Sequence, residues 1–372
     1  MSDVPGSTGD FDEVEDTLTA ALEAEAGGFT QSARHSFWSR FLQSRSLATT
    51  IAGVVLFVAF SLATPLFLTS DNLLNMVRNI SFTAIVAVGM TYLLVAGEID
   101  LSVGSIYGFL TMVMGILITK QEFDPWVAML AIIVLGVLIG LINGVIVTRV
   151  GIPAFITTLA MLTAYRSLAI VVSNQLPVNV DPTGLFYDVT GGYINGTFPW
   201  LIVWLAVIGV IGALVLSRTK FGAHIYATGG NAEAARNAGI RVRRIKTLCF
   251  MITGGLCAVV AALLIGYLHI AAPITGTGFE FRVIGAVIVG GVALRGGRGT
   301  VYGSFMGAII IGMITSGLVL LGFSQYWSDI VTGLLIVCTG ALDIYVRRAG
   351  LRSLLYFSAP QAAAARPSKP GP

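Results

Sequence analysis

The sequence predicts an all-α fold, a polytopic transmembrane helical bundle of about ten spans with both termini cytoplasmic. Three observations carry this expectation. Of 372 residues, 55% are hydrophobic and only 11% charged, with a mean hydropathy of +0.86, whereas soluble domains carry roughly 25% charged residues. Apolar runs of about 20 residues recur, each enough to cross a hydrocarbon core of about 30 Å as a helix; barrel strands would be about half that length and alternate in polarity. Basic residues also divide unequally between the two sides that these runs define.

In chain order, residues 1–45 open with a tail that carries Asp3, Asp10, Asp12, Glu13, Glu15, Asp16, Glu23 and Glu25 before any Lys or Arg. That composition buries too little apolar surface to fold alone and reads as a disordered cytoplasmic segment. A cleavable signal peptide reaches its apolar core after a short basic segment, not after about 45 polar residues, so the first span is expected to serve as the uncleaved targeting signal. Spans are expected at 46–68, 81–96, 102–119, 127–148, 154–172, 200–217, 247–267, 283–294, 301–321 and 327–346. The second and eighth are short, about 24 Å and 18 Å at 1.5 Å per residue. Residues 46–346 thus form the membrane domain, and 347–372 a cytoplasmic tail rich in Ala and Pro.

With the N-terminus inside, Arg34, Arg40, Arg45, Arg149, the basic residues of 218–246, Arg295, Arg298, Arg347, Arg348 and Arg352 fall to the cytoplasm. Arg78, Lys120 and Arg282 fall outside. The bias fits the positive-inside rule.

Two connections are long. The outer one, 173–199, holds Asp181 and Asp188 without a basic residue and suits a docking surface; its Asn195-Gly196-Thr197 matches a glycosylation sequon, a weak pattern. In the inner one, 218–246, Asn231 can cap a helix whose first turn holds Glu233, and Gly239 suits its end. An ordinary basic loop would explain the arginines but not the punctuation at both ends of this short helix.

Glu98 and Asp100 interrupt an apolar stretch where a charge costs at least about 2.5 kcal/mol at the bilayer centre. Two residues apart, they would diverge by about 200° on a helix, so an unwound connection flanked by Gly97 and Gly104 fits better. Asp100 or Ser102 could cap the following span, or the carboxylates could line a pathway or its gate. Arg166 lies at membrane depth and either snorkels, pairs or faces a cavity. Glu280 and Arg282 are expected to pair across the outer entrance, and Asp343 with Arg347 at i,i+4. Trp126, Trp200, Trp204 and Trp327 read as interface anchors. Gly136/Gly140 and Gly303/Gly307 read as close helix contacts, and Cys249, Cys257 and Cys338 as apolar packing residues. His35, His224 and His269 form no ligand set, and no nucleophile or metal constellation suggests an enzyme.

Several of these pieces occur together in one known pattern: Gly97-Glu98-Ile99-Asp100-Leu101-Ser102-Val103-Gly104; Ile142-Asn143-Gly144; Ile152-Pro153-Ala154 through Arg166; Tyr226 to Asn231 with Glu233-Ala234-Ala235; and Gly290-Gly291 with Gly296-Gly297. From about residue 46 to 346 the chain resembles the permease subunits of bacterial ABC importers for monosaccharides of the ribose, xylose and arabinose type. The resemblance implies a multi-pass protein of the bacterial cytoplasmic membrane that works as a pair with a second copy or paralogue. It also implies an extracytoplasmic sugar-binding protein and a cytoplasmic ATPase as partners, and no nucleic acid. Asn231, Glu233, Ala234, Ala235 and Gly239 then correspond to the coupling helix that seats in the ATPase. Glu98, Asp100, Ser102, Asn143, Arg166, Glu280 and Arg282 become pathway or gate candidates. The sequence has no G-x-x-x-x-G-K-[ST] loop, so the chain is expected to bind no cofactor, with ATP hydrolysed on the partner. The rival reading is a stand-alone secondary transporter or channel for a small polar solute.

Overall fold

The computed structural model describes residues 45–358. The acidic tail and the residues after 358 lie outside the described residues, as do the side chains of the expected Asp343–Arg347 pair. Seven of the described helices are long and apolar enough to cross a membrane: Ser70–Val95 (α2), Val103–Lys120 (α3), Pro125–Val145 (α4, extended by a π turn, Ile146–Val150), Ala154–Ser173 (α5), Trp200–Arg218 (α7), Val242–Leu268 (α10) and Val301–Leu320 (α12). Further helices are Arg45–Ala63 (α1), Leu185–Gly191 (α6), Lys220–Gly230 (α8), Ala232–Asn237 (α9), Phe279–Val289 (α11) and Gln325–Ser358 (α13).

The second expected span was too short. Helix α2 begins at Ser70, so its 26 residues extend about 39 Å. Its first turns are polar, and they are helical because other side chains satisfy them. Asn72 donates from Nδ2 to Phe67 O at 2.8 Å and accepts from Ser316 Oγ at 2.6 Å. Arg78, expected in an outer loop, is buried in α2, its guanidinium 4.3 Å from the Tyr193 ring centroid and 5.0 Å from that of Tyr267. Helix α11 is short, as expected, at 11 residues.

Burial separates an inner from an outer layer. The most apolar windows of α2 and α10 are 72% and 67% buried, against 22% for α5 and α7. A helix buried all round needs apolar or small residues on every face, and 80–96 supplies them. Helices α4 and α10 meet backbone to backbone: a methyl at Gly136 or Gly140 would strike the carbonyl of Gly254 or Phe250. Gly303 and Gly307 of α12 meet Gly290 and Ala286 in the same way. These are the close contacts that small-residue spacing predicts.

The outer connection is more ordered than the sequence suggests. Val178–Asn179 (β1) pairs antiparallel with Ile270–Ala271 (β4), and Tyr193–Ile194 (β2) with Phe198–Pro199 (β3). Between β2 and β3, Asn195 and Gly196 both have positive φ, 52° and 72°. Local hairpin chemistry therefore accounts for the Asn-Gly pair. Phe186, Tyr187 and Thr190 of α6 are buried against the bundle, and Trp204 Nε1 donates to Val189 O at 3.0 Å.

Candidate functional site

Three features of the described residues carry chemistry, and α2 links two of them. At its start lies a cavity of about 700 Å³, within the range of small-molecule sites. Asn72, Asn75 and Asn79 line it; spaced i, i+3 and i+7, they share one helix face. The Asn75 side chain makes no hydrogen bond among the described residues, and Asn79 Nδ2 donates to Asn75 O at 3.0 Å. Aromatic rings line the cavity as well, Phe82 on α2 itself and Tyr107, Tyr267 and Phe279 on other segments. Tyr107 and Phe279 lie 4.9 Å apart, Phe82 and Tyr267 6.1 Å. Such a wall offers rings to apolar faces of a ligand and amides to its hydroxyls.

Arg282 lines this cavity, but its expected partner is wrong. Its Nε lies 3.9 Å from Asp329 Oδ1. Glu280, two residues away and hence about 200° around α11, turns inward, is 5% exposed, and packs its Oε2 against Gly104. Arg166 Nη1 donates to Thr275 O. The missing side chains of Gly104 and Gly108 leave room for residues 275 to 280 to press onto α3. Arg166 therefore holds the 275–277 wall of the cavity, while Glu280 Oε2 is buried beside it without a hydrogen-bond partner among the described residues.

The second feature is a buried polar knot. The stretch from Ala96 to Ser102 is non-helical, as expected. Ser102 stands at the start of α3 without capping it through its side chain. Its N–H donates to Asp100 Oδ1 at 2.8 Å, and its Oγ donates to the same oxygen. Asn143 Nδ2 donates to Ser102 Oγ, Tyr165 Oη donates to Asn143 Oδ1, and Leu101 N–H donates to Thr158 Oγ1, each at 3.0 Å. Asp100, Ser102 and Asn143 are each fully buried. They tie α3, α4 and α5 together and do not line the cavity at the start of α2. Glu98 departs from them and meets Lys246.

The third feature is α9. Asn231 Oδ1 accepts from the N–H groups of Glu233 and Ala234, both at 3.0 Å, and Gly239 closes the turn with φ 84°. Glu233 and Ala234 are exposed, whereas Ala235 is buried. Behind α9, Gly229 packs on the carbonyl of Val95, the last residue of α2. Gly297 N–H donates to that carbonyl at 2.8 Å, and Tyr226 Oη donates to Gly299 O at 2.6 Å. Gly97 turns the chain away with φ 82°, a conformation glycine adopts without strain.

Sequence reasoning missed the asparagine face and the aromatic wall. Three asparagines at helical spacing in an apolar chain were the available signal, but an expected span start at 81 left them in a loop.

A bundle with an amide-and-aromatic cavity at one end and a capped, exposed helix at the other belongs to the class of multi-pass membrane transport subunits. The chain is a member of the family described as branched-chain amino acid transport system / permease component, whose model matches residues 72–340. It is 36% identical to the ribose import permease protein of Escherichia coli K12 over 84% of this chain and 98% of that protein. It is 35% identical to that of Haemophilus influenzae, over 80% and 92%. Identity to the L-arabinose ABC transporter permease protein of Azospirillum brasilense is 33%, over 79% and 86%. No solved structure matches the chain.

Proposed function

We propose that this chain is the membrane-spanning permease of a bacterial ABC importer that moves a monosaccharide into the cytoplasm, with ATP hydrolysed by a separate subunit. The observation that carries the reading is the course of α2. Its first turns wall the cavity and its last carbonyl abuts the segment that presents α9. From Asn75 to Val95 the helix is a rod of about 30 Å, so a push on α9 reaches the cavity through a single element. The names of the ribose and arabinose relatives support the substrate class, as does the pairing of rings with amides.

In this reading α1, α2, α3, α4, α5, α7, α10, α11, α12 and α13 are the ten membrane helices, with α11 shielded by its neighbours. The positive-inside bias puts α9 and both termini in the cytoplasm of an inner membrane. The cavity then faces the opposite side, where a sugar-binding protein delivers its ligand and a second permease completes the pathway. Glu233, Ala234 and Ala235 dock on the ATPase. Arg282 lines the pathway, Arg166 and Glu280 shape it, and Glu98, Asp100, Ser102 and Asn143 hold the inner gate.

The test is uptake of radiolabelled ribose, arabinose and xylose by proteoliposomes holding the permease with its ATPase and binding protein. ATP-dependent uptake of one of them is expected. Glu233→Arg should abolish that uptake and the association with the ATPase. Uptake that needs an ion gradient and no ATP would replace this reading with a secondary transporter.

A further inference from the structure

We propose an anionic phospholipid site in the groove between the π turn of α4 and the first turns of α10. The proposal does not depend on which solute is transported. This groove encloses about 850 Å³ and is lined by Arg149, Arg236, Arg241, Arg243 and Arg244, with no carboxylate on its walls. None of the five guanidinium groups has an ion pair or a hydrogen bond among the described residues, whereas Lys246, on the same helix, is held by Glu98. A cluster of like charges without acids repels itself and is stabilised by a multivalent or mobile anion.

The remaining walls say which anion. Leu141, Val145 and Leu248 line the groove one to two turns into the helices from the arginines, so its other end is apolar. Ile142 and Leu248 are 50% and 41% exposed, continuing that apolar surface onto the outer face of α4 and α10. A ligand that satisfies both ends has a phosphate at the guanidinium groups and hydrocarbon along the leucines. Arginine forks suit phosphate oxygens, and basic pockets between helices at the cytoplasmic surface suit lipid headgroups. A free phosphate would use only the first half of the groove, and an acidic protein segment would leave the apolar half uncovered.

The experiment measures lipid retained by the purified full-length protein in nanodiscs made of equal phosphatidylglycerol and phosphatidylcholine of the same chain length. After transfer to detergent, bound lipid is read by native mass spectrometry. Wild type should retain phosphatidylglycerol over phosphatidylcholine by about tenfold, a difference of about 1.4 kcal/mol. The triple variant Arg149→Gln, Arg243→Gln, Arg244→Gln should bring the ratio to about one, and the matching Lys variant should keep most of it. If the Gln variant cannot be produced, the wild-type ratio and the Lys variant still decide. An even ratio in wild type overturns the proposal, as does an undiminished ratio in the Gln variant. Thermal protection by millimolar inorganic phosphate equal to that by phosphatidylglycerol would assign the groove to a free anion. Loss of ATPase association with lipid retention unchanged would assign it to a protein contact.

Discussion

Lys246 Nζ lies 2.6 Å from Glu98 Oε1, with the two side chains 20% and 14% exposed. The pair joins the first turns of α10, which follow the capped helix, to the connection that leaves α2. A partly buried pair stands between an exposed one, worth up to about 1 kcal/mol, and a buried one, whose breakage costs about 3–5 kcal/mol. Glu98→Gln and Lys246→Met should each lower ATP-driven uptake while the protein still inserts. The double exchange Glu98→Lys, Lys246→Glu should recover more uptake than either single exchange. If the double exchange is no better than the worse single one, the pair is not a coupling element.

Gly229 has no space for a side chain, because a methyl there would collide with Val95 O and the Gly297 amide. Gly229→Ala should force the α8 end away from α2, at an overpacking cost of about 1–3 kcal/mol. The expected outcome is ATPase activity that persists while uptake falls. Stability in detergent and uptake equal to wild type would show that the junction is loose.

Asn75 presents an amide to the cavity with no partner among the described residues. Asn75→Leu should raise the KM for uptake about 5–10-fold, the worth of one hydrogen bond of about 1 kcal/mol or slightly more. Phe279→Ala, which removes a ring from the cavity wall, should raise KM further. Unchanged KM in both variants would move the solute path elsewhere.

The Asp100–Ser102–Asn143–Tyr165 chain predicts a stability effect before a transport effect. Asn143→Leu leaves the Tyr165 hydroxyl without its acceptor, at about 1–3 kcal/mol for an unsatisfied group, and leaves Ser102 Oγ bonded to Asp100 alone. A lower melting temperature in detergent is expected. Combining it with Asp100→Ala should cost less than the two losses added, since the residues share one network. Strict additivity would mean that they act independently.

Helix positions were legible because about 20 apolar residues must be helical to satisfy their backbone in lipid. The capped helix at 232–237 was legible because Asn231 and Gly239 act through their own neighbours. Errors fell where a polar group is satisfied by something distant in sequence. Arg78 looked like a loop residue because nothing local reveals Tyr193 and Tyr267 above and below its guanidinium. Glu280 and Arg282 looked like a pair because proximity in sequence hides the turn of the helix between them. The asparagines of α2 fell outside the expected span for the same reason as Arg78.

The sequence by itself determined that this protein is a helical membrane bundle, how its basic residues divide along the chain, and where its short capped helix starts and stops. Each of these follows from composition or from contacts within a few residues. Tertiary structure decided that Asp100 is buried against Ser102 and lies off the cavity wall, that Glu98 meets Lys246, and that α2 runs from the cavity to the junction behind α9. A carboxylate in an apolar chain can be satisfied by a solute, a cation or a neighbouring helix, all of which leave the same local sequence. Only the packing of helices far apart in the chain selects among them.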